Sequence, residues 1–193
     1  MSAAQLLPDA TIRSQTYYVA RADTQCRQCD MPIRLLALVV PNGHETLEPD
    51  PPADADADAD TDTDTDAGAG AIDGDGDGDG VAPDAWQHAN FNALLFYVED
   101  LPDHVQRRLN QLSPCFRLAY SKITLNSYWA NHCEHCGALV EDHELHCEFD
   151  GAFMPSDEDA AAKIQLLQIP EALEAVAAGY SFEPEFLRFM RKA

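Results

Sequence analysis

Positively charged side chains are scarce in this chain. It has 12 Lys and Arg against 34 Asp and Glu in 193 residues, a formal net charge of −22. A protein that binds nucleic acid through its phosphates needs a clustered basic surface, and the only basic clusters are Arg107-Arg108 and residues 188–192. The sequence therefore argues against a nucleic-acid partner. An acidic surface of this kind suits a basic protein partner.

Long apolar runs are also lacking. The longest, Leu35 to Val40, is far shorter than the ~20 residues that span a bilayer as a helix. The first fifteen residues, "MSAAQLLPDATIRSQ", have no charged start followed by a long apolar run, so no secretory signal is apparent. We expect no membrane span and a cytoplasmic, reducing compartment. There, the six cysteines are expected to be metal ligands rather than disulfides.

An acidic low-complexity stretch interrupts the chain at residues 49–83. Asp alternates there with Ala, Thr or Gly, and 12 of the 34 acids lie between Asp50 and Asp79. This alternation provides no apolar face, and its charges repel each other, so a disordered insertion is predicted. Residues 73–84 partly imitate a calcium loop, but no amphipathic helices flank them. Weak binding of divalent cations is expected, not a dedicated calcium sensor.

Without that insertion, ranges 1–48 and 84–193 are expected to form a single α+β domain. We expect a small mixed or antiparallel sheet with zinc-ribbon-like turns and a few short helices. Gly179 is expected to be the terminal cap of a helix at 170–180. The apolar patterns predict strands at 16–20, 33–40 and 91–100, helices at 101–114, 170–180 and 183–192, and either element at 137–149.

Two Cys-x-x-Cys pairs are the chemical signal of the sequence, in "QCRQCD" and "HCEHCG". Such a turn directs both sulfurs to one centre, and two turns bring four thiolates to a tetrahedral zinc at about 2.3 Å each. The residue after each pair, Asp30 or Gly137, is expected to have a positive φ. The spacing predicts a structural site made by four residues: Cys26, Cys29, Cys133 and Cys136.

Other metal sites remain open from the residues alone. A local site from Cys133, Cys136, Cys147 and either His143 or His146 is the main rival, because these ligands are close in sequence. The segment "HELHC" faintly resembles a metalloprotease helix, but a thiolate in place of the last His would quench the Lewis acidity that hydrolysis needs. Four thiolates also suit iron, and the absence of any electron-transfer context favours zinc.

Two segments of the chain carry a resemblance to known proteins. "TQCRQCDMPIRLLALVV" and "SKITLNSYWANHCEHCGALVEDHELHCE", with the pattern Y-x-A-N-H-C-x-x-C-G-A, resemble a group of poorly characterised bacterial proteins that contain a split zinc ribbon. The resemblance covers about half the chain and implies Cys26, Cys29, Cys133 and Cys136 as ligands. It implies no established activity.

Two functional hypotheses follow from a closed zinc site. In the first, zinc stabilises a binding or adaptor module that engages another protein. In the second, zinc holds only the scaffold of an enzyme whose cleft contains His143, Glu144 or His146. A module predicts an exposed apolar or acidic patch, whereas an enzyme predicts a pocket with convergent titratable groups.

Overall fold

The computed structural model describes residues 7–47, 86–149, 151–181 and 185–193. The acidic stretch at 49–83, with its predicted disorder and its calcium-like loop, lies outside these residues. The described strands are β1 (Ile12–Ser14), β2 (Tyr17–Gln25), β3 (Pro32–Val40), β4 (Glu45–Leu47), β5 (Trp86–His88), β6 (Ala93–Asp100), β7 (Phe116–Ser121), β8 (Asn126–His132), β9 (Leu139–Val140), β10 (Gln165–Ile169), β11 (Leu173–Tyr180) and β12 (Arg191–Lys192). The helices are α1 (Asp103–Leu112), α2 (Asp142–His146), α3 (Glu158–Ala161) and a 3-10 helix (Glu185–Phe189).

A nine-stranded sheet contains strands from both sides of the acidic stretch. Its order is β12-β10-β2-β3-β6-β11-β1-β4-β5, and the strands run antiparallel except for the β10–β12 pair. β4 and β5 pair with each other, so that Leu47 lies opposite Trp86 at the two borders of the undescribed segment. The two parts of the sequence therefore build one sheet.

The central strand β3 is buried on both faces. Leu36, Leu38 and Val40 belong to one hydrophobic core. The alternating residues Leu35, Ala37 and Val39 belong to the other. Because side chains alternate along a strand, an apolar run without polar interruptions fits a strand that is covered on both sides. The predictions of strands at 16–20, 33–40 and 91–100 are confirmed within β2, β3 and β6.

The predicted helix at 170–180 is wrong. Residues 173–180 form β11, which pairs with β6 and β1. The alanines favour a helix by intrinsic propensity, but Leu173 and Ala175 alternate into the core, and tertiary pairing overrides the propensity. Gly179 is not a helix cap. A Cβ at this position would collide with the Phe96 ring, so Gly179 allows two strands to approach closely.

The other predicted helices have mixed outcomes. The helix predicted at 101–114 is confirmed as α1, with Val105 and Leu109 buried. The helix predicted at 183–192 is reduced to the 3-10 helix and is followed by β12. The ambiguous range 137–149 contains both β9 and α2. The described chain is mostly sheet with few helices, which is consistent with the α+β expectation.

A second, three-stranded sheet has the order β7-β8-β9. Helix α1 leads into β7, and a four-residue turn joins β7 to β8. In the part of the chain that the structure describes, no helix has the length and apolar character needed to cross a membrane.

Candidate metal centre

The two Cys-x-x-Cys pairs meet at the end of β2 and the end of β8. The Sγ atoms of Cys26 and Cys136 are 3.7 Å apart, and those of Cys29 and Cys133 are 3.6 Å apart. All four sulfurs lie within 4.8 Å of one another. A tetrahedral ion with metal–sulfur bonds of about 2.3 Å has sulfur–sulfur edges of about 3.8 Å. The four sulfurs are therefore close enough to share one metal ion.

Each pair is held by the same local turn, here called a knuckle. In both knuckles the first cysteine's carbonyl accepts from the N–H four residues later, and its own N–H donates to the carbonyl five residues later. The first knuckle (residues 26–31) and the second (residues 133–138) thus have the same backbone frame. The bonds are Asp30 N to Cys26 O (2.9 Å), Cys26 N to Met31 O (2.9 Å), Gly137 N to Cys133 O (2.9 Å) and Cys133 N to Ala138 O (2.8 Å).

The residue after each pair has the left-handed conformation that the sequence predicts. Asp30 has φ 56° and Gly137 has φ 73°. Glycine adopts this region without steric cost, and aspartate tolerates it better than most residues. The expectation of a positive φ at both positions is confirmed.

Backbone N–H groups are directed at the sulfurs of the two buried cysteines, Cys26 and Cys133. The N–H of Gln28 lies 3.4 Å from the Cys26 sulfur, and those of His135 and Cys136 lie 3.4 and 3.5 Å from the Cys133 sulfur. Burial acts to raise the pKa of the Cys133 thiol, but the two N–H donors and the neighbouring sulfurs lower it overall, to about 6. One thiolate of the cluster is therefore available near neutral pH.

The pKa values of the Cys29 and Cys136 thiols are raised by their surroundings. The N–H of Met31 lowers the pKa of Cys29, but burial and hydrogen bonds with the other three sulfurs outweigh it and raise that pKa overall. Four thiolates this close repel one another, so full ionisation requires a cation among them. Metal binding at such a site releases protons.

Asn131 links β8, the strand that leads into the second knuckle, to β3, the strand that follows the first knuckle. Its buried side chain bonds both backbone groups of Leu36 in β3: Oδ1 accepts from the Leu36 N–H at 2.8 Å, and Nδ2 donates to the Leu36 carbonyl at 2.9 Å. The amide thus replaces one rung of a β-ladder between β8 and β3. It lies two residues before Cys133 and aligns the two knuckles. Sequence reasoning did not assign it this role, because its partner is 95 residues away.

Asn131→Leu is expected to lower the free energy of unfolding by about 2–5 kcal/mol, because it leaves two buried backbone groups without partners. Urea unfolding of the metal-loaded protein measures the loss. Asn110→Leu, at an exposed position of α1, is the matched control and should change stability by less than about 0.5 kcal/mol. Equal losses in the two variants would mean that the Leu36 contact contributes nothing specific.

The histidines beside the cysteines lie outside the sulfur cluster. His132 Nδ1 lies 3.1 Å from the carbonyl of Ala130, and His135 Nε2 lies 3.2 Å from the carbonyl of Pro32. Pro32 follows the first knuckle, so His135 joins one knuckle to the other. These contacts support the frame of the site.

The residues between 143 and 147 that the sequence suggested for a rival metal site or an enzyme cleft each have their own contacts or are exposed. Glu144 pairs with Arg27 of the first knuckle at 3.4 Å. The His146 ring lies between Phe96 and Phe153, at centroid distances of 5.6 and 5.3 Å, and burial lowers its pKa to about 4. His143 and Cys147 are exposed. In the described ranges, the four-cysteine cluster is the only group of three or more His, Cys, Asp or Glu side chains arranged to hold an ion.

The chain matches no protein-family model, no curated protein and no solved structure. What the centre can do follows from its donors. Four thiolates around one ion complete a tetrahedral shell and leave no position open for water or substrate. Such a centre stabilises structure and does not polarise a substrate.

Proposed function

We propose that this protein binds one zinc ion through Cys26, Cys29, Cys133 and Cys136, as a split zinc ribbon. The observation that carries the proposal is the sulfur geometry, whose 3.6 and 3.7 Å separations match the edges of a zinc–thiolate tetrahedron. Zinc is the usual ion of structural four-cysteine sites, and the absence of an electron-transfer context in the sequence favours it over iron. The ion clamps the β2–β3 turn to the end of β8.

The clamped domain acts as a protein-interaction module. A closed site contributes folding free energy and no chemistry, so the function resides in the surface that the fold presents. Among the residues that the structure describes, four of the seven exposed large apolar side chains lie within residues 118–125, and concentrated apolar exposure is typical of protein interaction sites. The net charge of −22 further suits a basic protein partner.

Elemental mass spectrometry of untagged protein tests the site. We expect one zinc per wild-type chain, and loss of that zinc in both Cys26→Ser and Cys133→Ser, because each variant removes one ligand from the shared shell. Cys147→Ser is the control and should retain the metal, since Cys147 is outside the cluster. Zinc that persists in Cys26→Ser but not in Cys133→Ser would instead indicate the local site that includes Cys147.

A further inference from the structure

The hairpin formed by β7, β8 and their connecting turn exposes apolar side chains in one place. Leu118 and Tyr120 on β7 are 52% and 58% exposed, and Ile123 and Leu125 in the turn are 75% and 73% exposed. Isolated exposed apolar residues are ordinary, but a group of four on one hairpin indicates a surface that a partner covers.

Strand β7 is also an edge strand. It pairs with β8 on one side, and no described strand lies on its other side. The N–H of His132 donates to the carbonyl of Cys115, immediately before β7, at 2.8 Å. Along an antiparallel ladder, the N–H and C=O groups of successive residues point alternately towards and away from the neighbouring strand. Because the carbonyl of Cys115 points towards β8, the N–H and C=O groups of Leu118 and Tyr120 point away from it. Such an edge is a template for another strand.

The charge of the hairpin is opposite to that of the chain. Residues 113–133 contain no Asp or Glu and two bases, Arg117 and Lys122, whereas the whole chain has 34 acids. Two copies of so acidic a protein repel each other over most of their surface. The hairpin is a segment through which two copies can approach each other without bringing its own carboxylates together, because it has none.

We propose that β7 pairs antiparallel with β7 of a second copy, about a two-fold axis at Ala119. In this register Leu118 lies opposite Tyr120 of the second copy, which covers both apolar side chains. Arg117 lies opposite Ser121 of the second copy. Ser121 and Tyr128 both donate to the carboxylate of Glu141, so this register brings Arg117 towards that carboxylate of the second copy. A two-fold interface requires this self-complementarity, and pairing joins the two three-stranded sheets into one.

The same register accounts for the exposed turn. Because Ser121 lies opposite Arg117 of the second copy, the turn that begins at Lys122 comes near the residues that precede β7 in that copy. Residues 112–115 line a cleft of about 460 Å³ together with Ile33, His132 and three charged side chains, Asp23, Arg34 and Glu134. Rotation about Ala119 therefore brings the apolar turn of each copy to the cleft of its partner. This assignment rests on the proposed function: it makes a second copy the occupant of the apolar hairpin of the zinc-clamped module, and leaves the acidic remainder of the surface to a basic partner.

Light scattering with size-exclusion chromatography of the zinc-loaded chain tests the pairing. The expected mass is twice the chain mass of 21.2 kDa, and Leu118→Lys should reduce it to that of one chain, because a lysine on an edge strand opposes pairing. Phe149→Lys is the matched control. It removes an 83% exposed apolar side chain outside the hairpin and should leave the dimer intact.

Cysteine cross-linking covers the case in which Leu118→Lys fails to fold. The cross-linking uses a Cys115→Ser, Cys147→Ser background, which removes the two cysteines outside the cluster. Ala119→Cys in this background places one thiol on each side of the proposed axis, and mild oxidation of the zinc-loaded chain should give a disulfide-linked dimer. The background chain and its Lys122→Cys variant should not form one. A wild-type chain that holds one zinc but stays monomeric up to about 100 µM would overturn the pairing and leave the zinc site standing. A dimer that survives Leu118→Lys and is not linked through Ala119→Cys would also overturn it. A chain without zinc would contradict the proposed function itself.

Discussion

Metal removal is expected to lower the free energy of unfolding by about 5 kcal/mol or more, because the apparent binding free energy of structural zinc, about 10–16 kcal/mol in zinc fingers, is folding free energy. The described cysteines form no disulfide that could replace the ion. Cys26 and Cys133 are buried in a core with Ile33, Leu35 and Leu145, so disorder of the knuckles also exposes apolar surface. The remaining sheet retains part of the stability.

Thermal unfolding with and without a high-affinity chelator measures this effect. The melting temperature should fall by about 10 °C or more, since 1 kcal/mol corresponds to about 2–4 °C in a chain of this size. Added zinc should restore it, and magnesium should not, because magnesium prefers oxygen ligands. The control is Cys26→Ser, which should melt at the lower temperature and not respond to the chelator. An unchanged melting temperature in protein shown to be metal-free would refute a structural role for the ion.

Asp142→Asn is expected to stabilise the protein above neutral pH, by about 4 kcal/mol at most. Burial raises the pKa of the Asp142 carboxyl from 3.8 to about 7, against a backbone hydrogen bond from Tyr97 that lowers it; Glu141 adds to the rise. The native state therefore holds the proton more tightly than the unfolded chain does. The stability that this proton provides is complete below about pH 4 and is lost as the pH rises to about 7.

Asparagine resembles the protonated carboxyl and keeps an oxygen that can accept from the Tyr97 N–H, which lies 2.7 Å from Asp142 Oδ2. Urea unfolding of both proteins at pH 5 and pH 8 gives the required difference. The advantage of the variant should be small at pH 5 and larger at pH 8. Burial lowers the pKa of His146 to about 4, so its contribution to stability is lost as the pH falls. His146 is present in both proteins, and its contribution therefore cancels in the difference. A difference independent of pH would show that Asp142 ionises normally in the native state.

Local interactions made several features predictable from sequence. The knuckle turns follow from Cys-x-x-Cys spacing and from the tolerance of Asp30 and Gly137 for a positive φ. The strand at 33–40 follows from its unbroken apolar run, and α1 from its flanking prolines and apolar spacing. Each of these signals is contained within a few consecutive residues, so neighbouring sequence is sufficient to determine it.

Interactions between distant residues decided the remainder. Residues 173–180 form a strand because they pair with β6 on one side and with β1 on the other, although alanine favours a helix. Asn131 acquired its role from Leu36, and the sulfur pairs Cys26–Cys136 and Cys29–Cys133 join residues more than 100 positions apart. By itself the sequence determined which residues can bind a metal and how each turn is built. Only the tertiary structure decided that the turns meet and that β7 is left at an edge, because both depend on which strands pair, and no local pattern encodes that choice.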